Sequence, residues 1–373
     1  MKILAAVAPG EVRVAAVDGD ALIDYALWRP GSPDGVGDLY RGRVRACVPA
    51  MGGAFVTLGG VDGFLPDSEG AAALSEGVVL GVRVSRAAQG GKGPRLTARL
   101  DDDERAVAAA GNQGLLRRGP GAVERLAALH PDAAVIVDDA ALAAALRPAL
   151  GERLSIVSAA FGDAVEAAVE ALSEPVAALP GGARMSVYPT PALTAIDVDL
   201  GAATADRRPK QAAQVAANTA LLPALARQIR LRNLSGAILV DLAGLTPRRR
   251  RVLGPALAAA LQPDPLRPRL LGFTALGLAE IVRTRVHPAL HELLAGPLAA
   301  GLAALRLADA TVAATPAWLP SLAAAPEVIA ALAADRVALT EFARRAGRPV
   351  RLSDDRALSP CGWRLDSSLT LPR

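Results

Sequence analysis

At 373 residues the chain is too long for one ordinary core, so two or more domains are expected. It is 52% hydrophobic, mostly Ala, Leu and Val, which excludes global disorder. A formal net charge of +4 permits a polyanionic partner without demanding one, so where the arginines sit matters more than their number.

Two cysteines, Cys47 and Cys361, stand far apart with no CxxC or Cys/His cluster. That spacing argues against a structural zinc and fits a reducing, cytoplasmic compartment. The apolar run in MKILAAVAPGEVRVAA is too short for a secretory leader. No uninterrupted apolar segment has the length of a bilayer span, so a soluble protein with no membrane partner is expected.

Residues 1–35 read as two short strands and a turn, with Gly19 between Asp18 and Asp20 as the hairpin signal. From Asp38 to Leu100 come five short strand-like runs, LYRGRVRACV, GAFVTLG, GFLPD, VLGVRVSRA and PRLTARL, parted by glycine-rich turns. Five short strands in so few residues suggest a small barrel, with the OB-type architecture first among candidates. Residues 101–122 read as a helix and a glycine-rich connector. AAVIVDD then reads as a strand, and ALAAALRPAL and FGDAVEAAVEALSE as helices, which predicts a second, α/β layer.

The region from 184 to 290 is the most organised. MSVYPTPALTAIDVDL gives a strand pair, and PKQAAQVAANTALLPALARQIRLRN a long amphipathic helix with Pro209 suited to its first turn. GAILVDL is a buried-type strand ending in Asp241. TPRRRRVLGPALAAALQ opens a helix with Thr246 as N-cap and Pro247 at the first helical position. GFTALGLAEIVRTR reads as a strand followed by a helix closed by Arg283 and Arg285. From about 296 the chain is Ala/Leu-rich, helical and then strand-like.

In TAIDVDL, Ile196, Val198 and Leu200 share one strand face and leave Asp197 and Asp199 on the other. Strands avoid aspartate, so the pair calls for a reason. A strand, crossover helix and strand form a right-handed unit whose parallel strands end at one sheet edge, where open α/β folds place ligands. Asp197 and Asp199 end one such strand and Asp241 the other. Converging carboxylates suit a hard divalent cation such as Mg²⁺, which takes carboxylate oxygens and keeps several waters. The alternative is that they are turn residues on a solvated face.

Arginines surround these strands. Arg248 to Arg251 crowd the first turns of a helix, where the dipole favours anions over cations. Arg230 and Arg232 close the preceding helix, where cations are favoured, and Arg267 and Arg269 precede the next strand. Carboxylates ringed by guanidinium groups suit phosphodiester recognition, with a solvated basic face as the alternative. In the barrel segment, Phe55 and Phe64 lie amid Tyr40, Arg41, Arg43, Lys92 and Arg95. Aromatic faces among basic residues on a small barrel hold single-stranded nucleic acid, unless both Phe are barrel core.

Together these segments resemble the bacterial ribonuclease E/G family. DLYRGRVRACVPAMGGAFVTLGGVDGFLP and GGKGPRLTARL resemble its S1 RNA-binding barrel; LTAIDVDLGAAT, ANTALLPALARQIRLRNLSGAILVDL, RRRV and GFTALGLAEIVRTR follow its catalytic core in order. The resemblance covers 36–100 and 184–290 almost continuously, and ARQIRLRNL-SGAILVD is its most specific part. It implies an OB-type S1 β-barrel (36–100) inserted in an RNase H-like subdomain (1–35 and 126–183). A shortened 5′-sensor-like connector (101–125), a DNase I-like catalytic α/β subdomain (184–295) and a small C-terminal α/β domain (296–373) complete it.

The implied activity is Mg²⁺-dependent endoribonucleolytic cleavage of single-stranded RNA by in-line attack of water, with Mn²⁺ as the alternative ion and 5′-phosphate and 3′-hydroxyl ends. By motif position Asp197 and Asp241 match metal-binding aspartates, and Asp199 stands where the family has Asn. Arg267 matches a residue at the phosphate near the cut, Phe55, Phe64 and Lys92 match RNA contacts, and Arg118 matches the 5′-phosphate Arg with Gly119 in place of its Thr partner. Gly244 replaces a second acidic residue, and no cysteines follow HELLAGPL. No zinc and no zinc-linked tetramer are therefore expected, a homodimer stays open, and the family's long disordered tail is not seen. A relative that keeps the RNA platform and cleaves weakly or not at all is the alternative.

Overall fold

Lys2–Ala8 and Glu11–Asp18 are near-continuous buried apolar runs, Ala21–Trp28 alternates more closely between buried and half-buried positions, and these three strands form an antiparallel meander. The expected Gly19 hairpin is present, with Asp18 opposite Ala21. A second tight turn at Pro9-Gly10, with Gly10 at φ +76°, splits what the sequence suggested was a single strand. Ala134–Val137 joins Lys2–Ala8 in parallel, and Leu154–Ile156 joins Ala134–Val137. The sheet is a five-stranded mixed one in which the first three strands are antiparallel and the last two run parallel to the first.

The structure, a computed structural model, describes residues 1–201 and 210–366. Pro209 lies outside the described residues. The chain divides into two units: residues 1–32, 126–284 and 289–373 form one, residues 33–125 and 285–288 the other. In the second unit, Leu39–Val48, Gly53–Thr57, Asp62–Pro66, Arg95–Thr97 and Val79–Arg86 pair in that order and close back on Leu39–Val48. This five-stranded closed barrel is filled by Val44, Val56, Leu65, Val82, Val84 and Leu96 and is consistent with an OB fold. The segment after it folds with the barrel. Helix Asp102–Ala110 starts on a capping box between Asp101 and Glu104, and Gly114–Arg117 adds an edge strand to Leu39–Val48.

In the first unit, six strands stand in the order Val176–Ala178, Arg184–Pro189, Thr194–Asp199, Gly236–Asp241, Ala279–Arg283, Arg269–Phe273. Helix Lys210–Leu231 crosses between the two central parallel strands and lays Leu221, Leu222, Leu225 and Ile229 against Ile196, Val198, Ile238 and Val240. GFTALGLAEIVRTR departs from expectation. It forms a hairpin, Arg269–Phe273 with Ala279–Arg283, and not a strand and helix. Ala279, Ile281 and Arg283 are buried while Glu280 and Val282 are half-buried, a period of two that a helix cannot satisfy. Arg283 thus ends a strand, ion-paired with buried Asp264 at 2.7 Å.

A third sheet, Arg351–Asp354, Ser321–Ala324 and Trp363–Leu365, packs on helices Pro297–Ala314, Pro326–Ala334 and Arg336–Ala346. Pro297–Ala314 has the length and mean hydropathy (1.3) of a bilayer span, but Arg306 and Asp309 interrupt it, so the expectation of no uninterrupted apolar span stands among the described residues. Its Leu302, Leu305, Ala308 and Val312 lie in the C-terminal core, and its Arg306 pairs with buried Glu11. These contacts are those of a core helix.

Candidate functional site

The parallel register of the two central strands puts Asp197 opposite Asp241. Ile196 and Val240 face the core one step earlier, so both carboxylates leave the sheet on its open face. Neighbouring strands lie about 4.8 Å apart, which brings the two aspartates side by side. The convergence expected from the crossover topology is present. Asp199 shares this face, but its carboxylate is engaged: it accepts from the Gly201 N–H at 2.9 Å and from Arg184 at 3.2 Å. The Gly201 amide and then Arg184 hold Asp199 below the usual carboxylate range.

Among the Arg248–Arg251 run only Arg250 turns to the aspartates. Its Nη1 lies 2.5 Å from an Asp241 oxygen, and its Nε donates to the Leu245 carbonyl at 3.0 Å. The expected helix runs without a gap from Pro247 to Leu261, tightening to a 3₁₀ turn at Arg251–Leu253, and Thr246 makes no side-chain cap. Two further residues were not legible as site residues. Asn218, fully buried, donates to the Gln214 carbonyl at 2.8 Å and the Ala243 carbonyl at 3.1 Å, tying the crossover helix to the loop after Asp241. A lone Asn amid ANTALL was the available signal. Glu280, opposite Leu239, puts another carboxylate on the same face, diagonal to Asp241.

Arg267 is not brought to the aspartates. Ala279 pairs with Val240 and Phe273, whereas Val282 pairs with Ala237 and Arg269. Arg267 therefore precedes the opposite edge of the sheet, roughly 15–20 Å from Asp241 at about 3.3 Å per residue. It sits in a left-handed turn at φ +48° between helix Gly254–Leu261 and the edge strand. Arg230 and Arg232 are structural too: the first pairs with buried Asp24, and the second donates to the carbonyls of Leu172, Glu174 and Ala171.

The barrel carries the second set. Phe55 and Phe64 face each other across adjacent strands with ring centroids 5.5 Å apart at 64°. Ala54, Val56 and Leu65 fill the interior, so the two rings stand half-buried on the outer wall. Lys92, exposed, sits in the tight turn from Gln89 that Gly93 seats against the Asp62 carbonyl. Arg43 lies outside, opposite Thr57. Tyr40 does not join them: it packs on the barrel core with its hydroxyl toward Asp38 at 3.5 Å, and burial, then Asp38, raises its phenol above the usual range. Arg118 is also occupied, donating to buried Asp38 at 2.6 Å while Asp38 accepts the Gly119 N–H.

Among the described residues no three His, Cys, Asp or Glu side chains cluster closely enough to form a full metal cage. Two adjacent carboxylates are nevertheless the donor set that suits a hard cation retaining most of its water, and not the closed four-ligand set of structural zinc.

Residues 144–286 match the sequence model of the ribonuclease E/G family. The chain is 25% identical to ribonuclease E of Escherichia coli (strain K12) over 389 aligned residues, covering 76% of this chain and 36% of that protein. It is 25% identical to ribonuclease E of Haemophilus influenzae over 76% of this chain and 41% of that one. To ribonuclease G of Escherichia coli (strain K12) it is 33% identical over 35% of this chain and 27% of that one. The chain spans well under half the length of these relatives. With the sheet and barrel carrying the motif order described above, these matches show that the chain is similar to the ribonuclease E/G family, most specifically over residues 144–286.

Proposed function

We propose that the chain is a Mg²⁺-dependent endoribonuclease that cuts single-stranded RNA to 5′-phosphate and 3′-hydroxyl ends in the cytoplasm. The observation that carries this reading is the register pairing Asp197 with Asp241 on an open sheet face. These two residues would hold the ion, with Mn²⁺ able to take the same donors. When bound, such an ion activates water and offsets charge building on a phosphoryl group.

The chain's own groups do the rest. Asp241 is 46% exposed, so its pair with Arg250 is worth about 0.2–1 kcal/mol, weak enough to yield to a divalent ion. Arg250, released or shared, would stand beside a phosphate held at the two aspartates. Asn218 fixes the loop after Asp241. In the barrel unit, Phe55 and Phe64 stack bases while Lys92 and Arg43 neutralise phosphates. The mixed five-stranded sheet supports an RNase H-like reading of 1–35 with 126–183. The six-stranded sheet supports a DNase I-like reading of 184–295. A homodimer fits this reading, and a zinc-linked tetramer is no part of it.

The test is incubation of purified protein with a labelled AU-rich single-stranded RNA in Mg²⁺ or in EDTA. Cutting in Mg²⁺ alone supports the reading; tight binding without cutting would replace it with an RNA-binding relative of little or no activity. That second reading has its own support, since Asp241 is already paired with Arg250 and Asp199 with Arg184.

A further inference from the structure

Arg41, Arg43 and Arg45 recur at every second position of strand Leu39–Val48 and so leave the barrel on its outer side. With Thr57, Gln113 and Gly114 they line a cleft of about 260 Å³. Its walls come from the barrel strand, its neighbour, and the edge strand Gly114–Arg117. The three guanidinium groups differ in how they are held. Arg41 donates to the carbonyls of Ala109 (3.1 Å) and Gly111 (2.6 Å) at the end of helix Asp102–Ala110. Arg45 pairs with Asp62, which also accepts from Thr57. Arg43, between them and exposed, has no side-chain hydrogen bond or ion pair among the described residues.

Three guanidinium groups thus line a cleft with no carboxylate among its lining residues, and Arg45 is paired with Asp62. Like charges at this spacing repel unless an anion separates them, and the planar guanidinium fork matches phosphate oxygens. The cleft is smaller than the roughly 300–1,000 Å³ of pockets for drug-sized ligands, which suits a phosphate and its sugar more than a whole base. It also adjoins the aromatic pair, because Arg43 faces Thr57 and Thr57 lies two residues from Phe55 on the same side of the strand.

We propose that this cleft is a phosphate-binding subsite with Arg43 as its principal ligand, Arg41 and Arg45 being fixed flanking cations. It takes a phosphate of the strand whose bases stack on Phe55 and Phe64, and in that respect rests on the RNA-binding reading above. The phosphate is either internal to the strand or its terminal monophosphate.

The test uses fluorescence anisotropy with 3′-labelled single-stranded RNA of about ten nucleotides, within the range an OB-type barrel covers. It is made with a 5′-monophosphate or a 5′-hydroxyl, for wild type, Arg43→Gln and the control Arg99→Gln. Arg99 is exposed and lies outside the cleft, beside Glu69. Arg43→Gln is expected to weaken binding about tenfold and to make the log–log salt slope shallower by about 0.7, with Arg99→Gln near wild type. Loss for both RNAs assigns an internal phosphate; loss confined to the monophosphate RNA assigns the terminus. Wild-type affinity and slope in a folded Arg43→Gln overturn the subsite. If wild type binds no RNA, the RNA reading fails, and millimolar AMP decides the subsite. A rise in melting temperature for wild type but not Arg43→Gln sustains it, and no rise for wild type overturns it.

Discussion

The sheet edge and the barrel wall solve opposite electrostatic problems. At the sheet edge the carboxylates come with their own counter-ions, Arg250 on Asp241 and Arg184 on Asp199, leaving Asp197 without an ion pair among the described residues. On the barrel wall Arg43 stands among cations with no such partner among the described residues. The first region must exchange partners to bind an ion; the second is already arranged for a polyanion. Under the proposed function, the difference teaches that binding and cutting are separable and respond to different substitutions.

The largest expected effect separates them outright. Asp197→Asn or Asp241→Asn should lower the Mg²⁺-dependent cleavage rate at least about a hundredfold, a few kcal/mol of lost transition-state stabilisation. The double variant should fall little further, as for residues acting as one unit. RNA affinity by anisotropy should stay within about twofold, and Arg267→Gln, at the far edge, should leave the rate similarly close to wild type. Next, Phe64→Ala should weaken RNA binding about tenfold or more, one stacked base being worth ~1–3 kcal/mol. Tyr40→Phe should leave binding unchanged, because its hydroxyl faces Asp38 and not the outer wall.

A smaller effect probes the exchange of partners. Arg250→Gln should tighten Mn²⁺ binding, read by electron paramagnetic resonance, by up to about fivefold, the value of a half-exposed ion pair. Unchanged Mn²⁺ affinity would remove Arg250 from the ion's competition. The smallest effect concerns pH. The folded carboxyl of Asp199 lies below its usual value, so whatever stability its contacts add is present at neutral pH. It is lost only as pH falls through that lowered value. Asp199→Asn should therefore leave the pH dependence of melting unchanged above about pH 5. A changed slope there would mean another group carries the titration.

Much of this was legible in the sequence because it rests on period and order. The alternation in TAIDVDL and the apolar run of GAILVDL, with a helix between them, fixed two parallel strands and hence the meeting of Asp197 with Asp241. Phe55 and Phe64 were legible as a pair, though only the register showed them directly opposite on the outer wall. What failed depended on contacts between distant segments. GLAEIVRTR, expected as a helix closed by Arg283 and Arg285, is a strand because it pairs with Gly236–Asp241, a contact the local sequence does not contain. Arg267 was misplaced because motif position says nothing of the sheet edge a residue reaches. Arg250 was hidden among four arginines, and only its ion pair with Asp241 singles it out. Tyr40 alternates with Arg41 and Arg43, and the direction of that alternation could not be known before the barrel closed.

The central claim is that Asp197 and Asp241, adjacent on an open sheet face, form a hydrolytic centre for RNA. The most direct measurement is end-group analysis of a single-stranded RNA incubated with wild-type protein across a Mg²⁺ titration. The account predicts cleavage that rises with Mg²⁺, vanishes in EDTA and leaves 5′-phosphate and 3′-hydroxyl ends. Cleavage that persists in EDTA, or leaves 5′-hydroxyl ends, would contradict it.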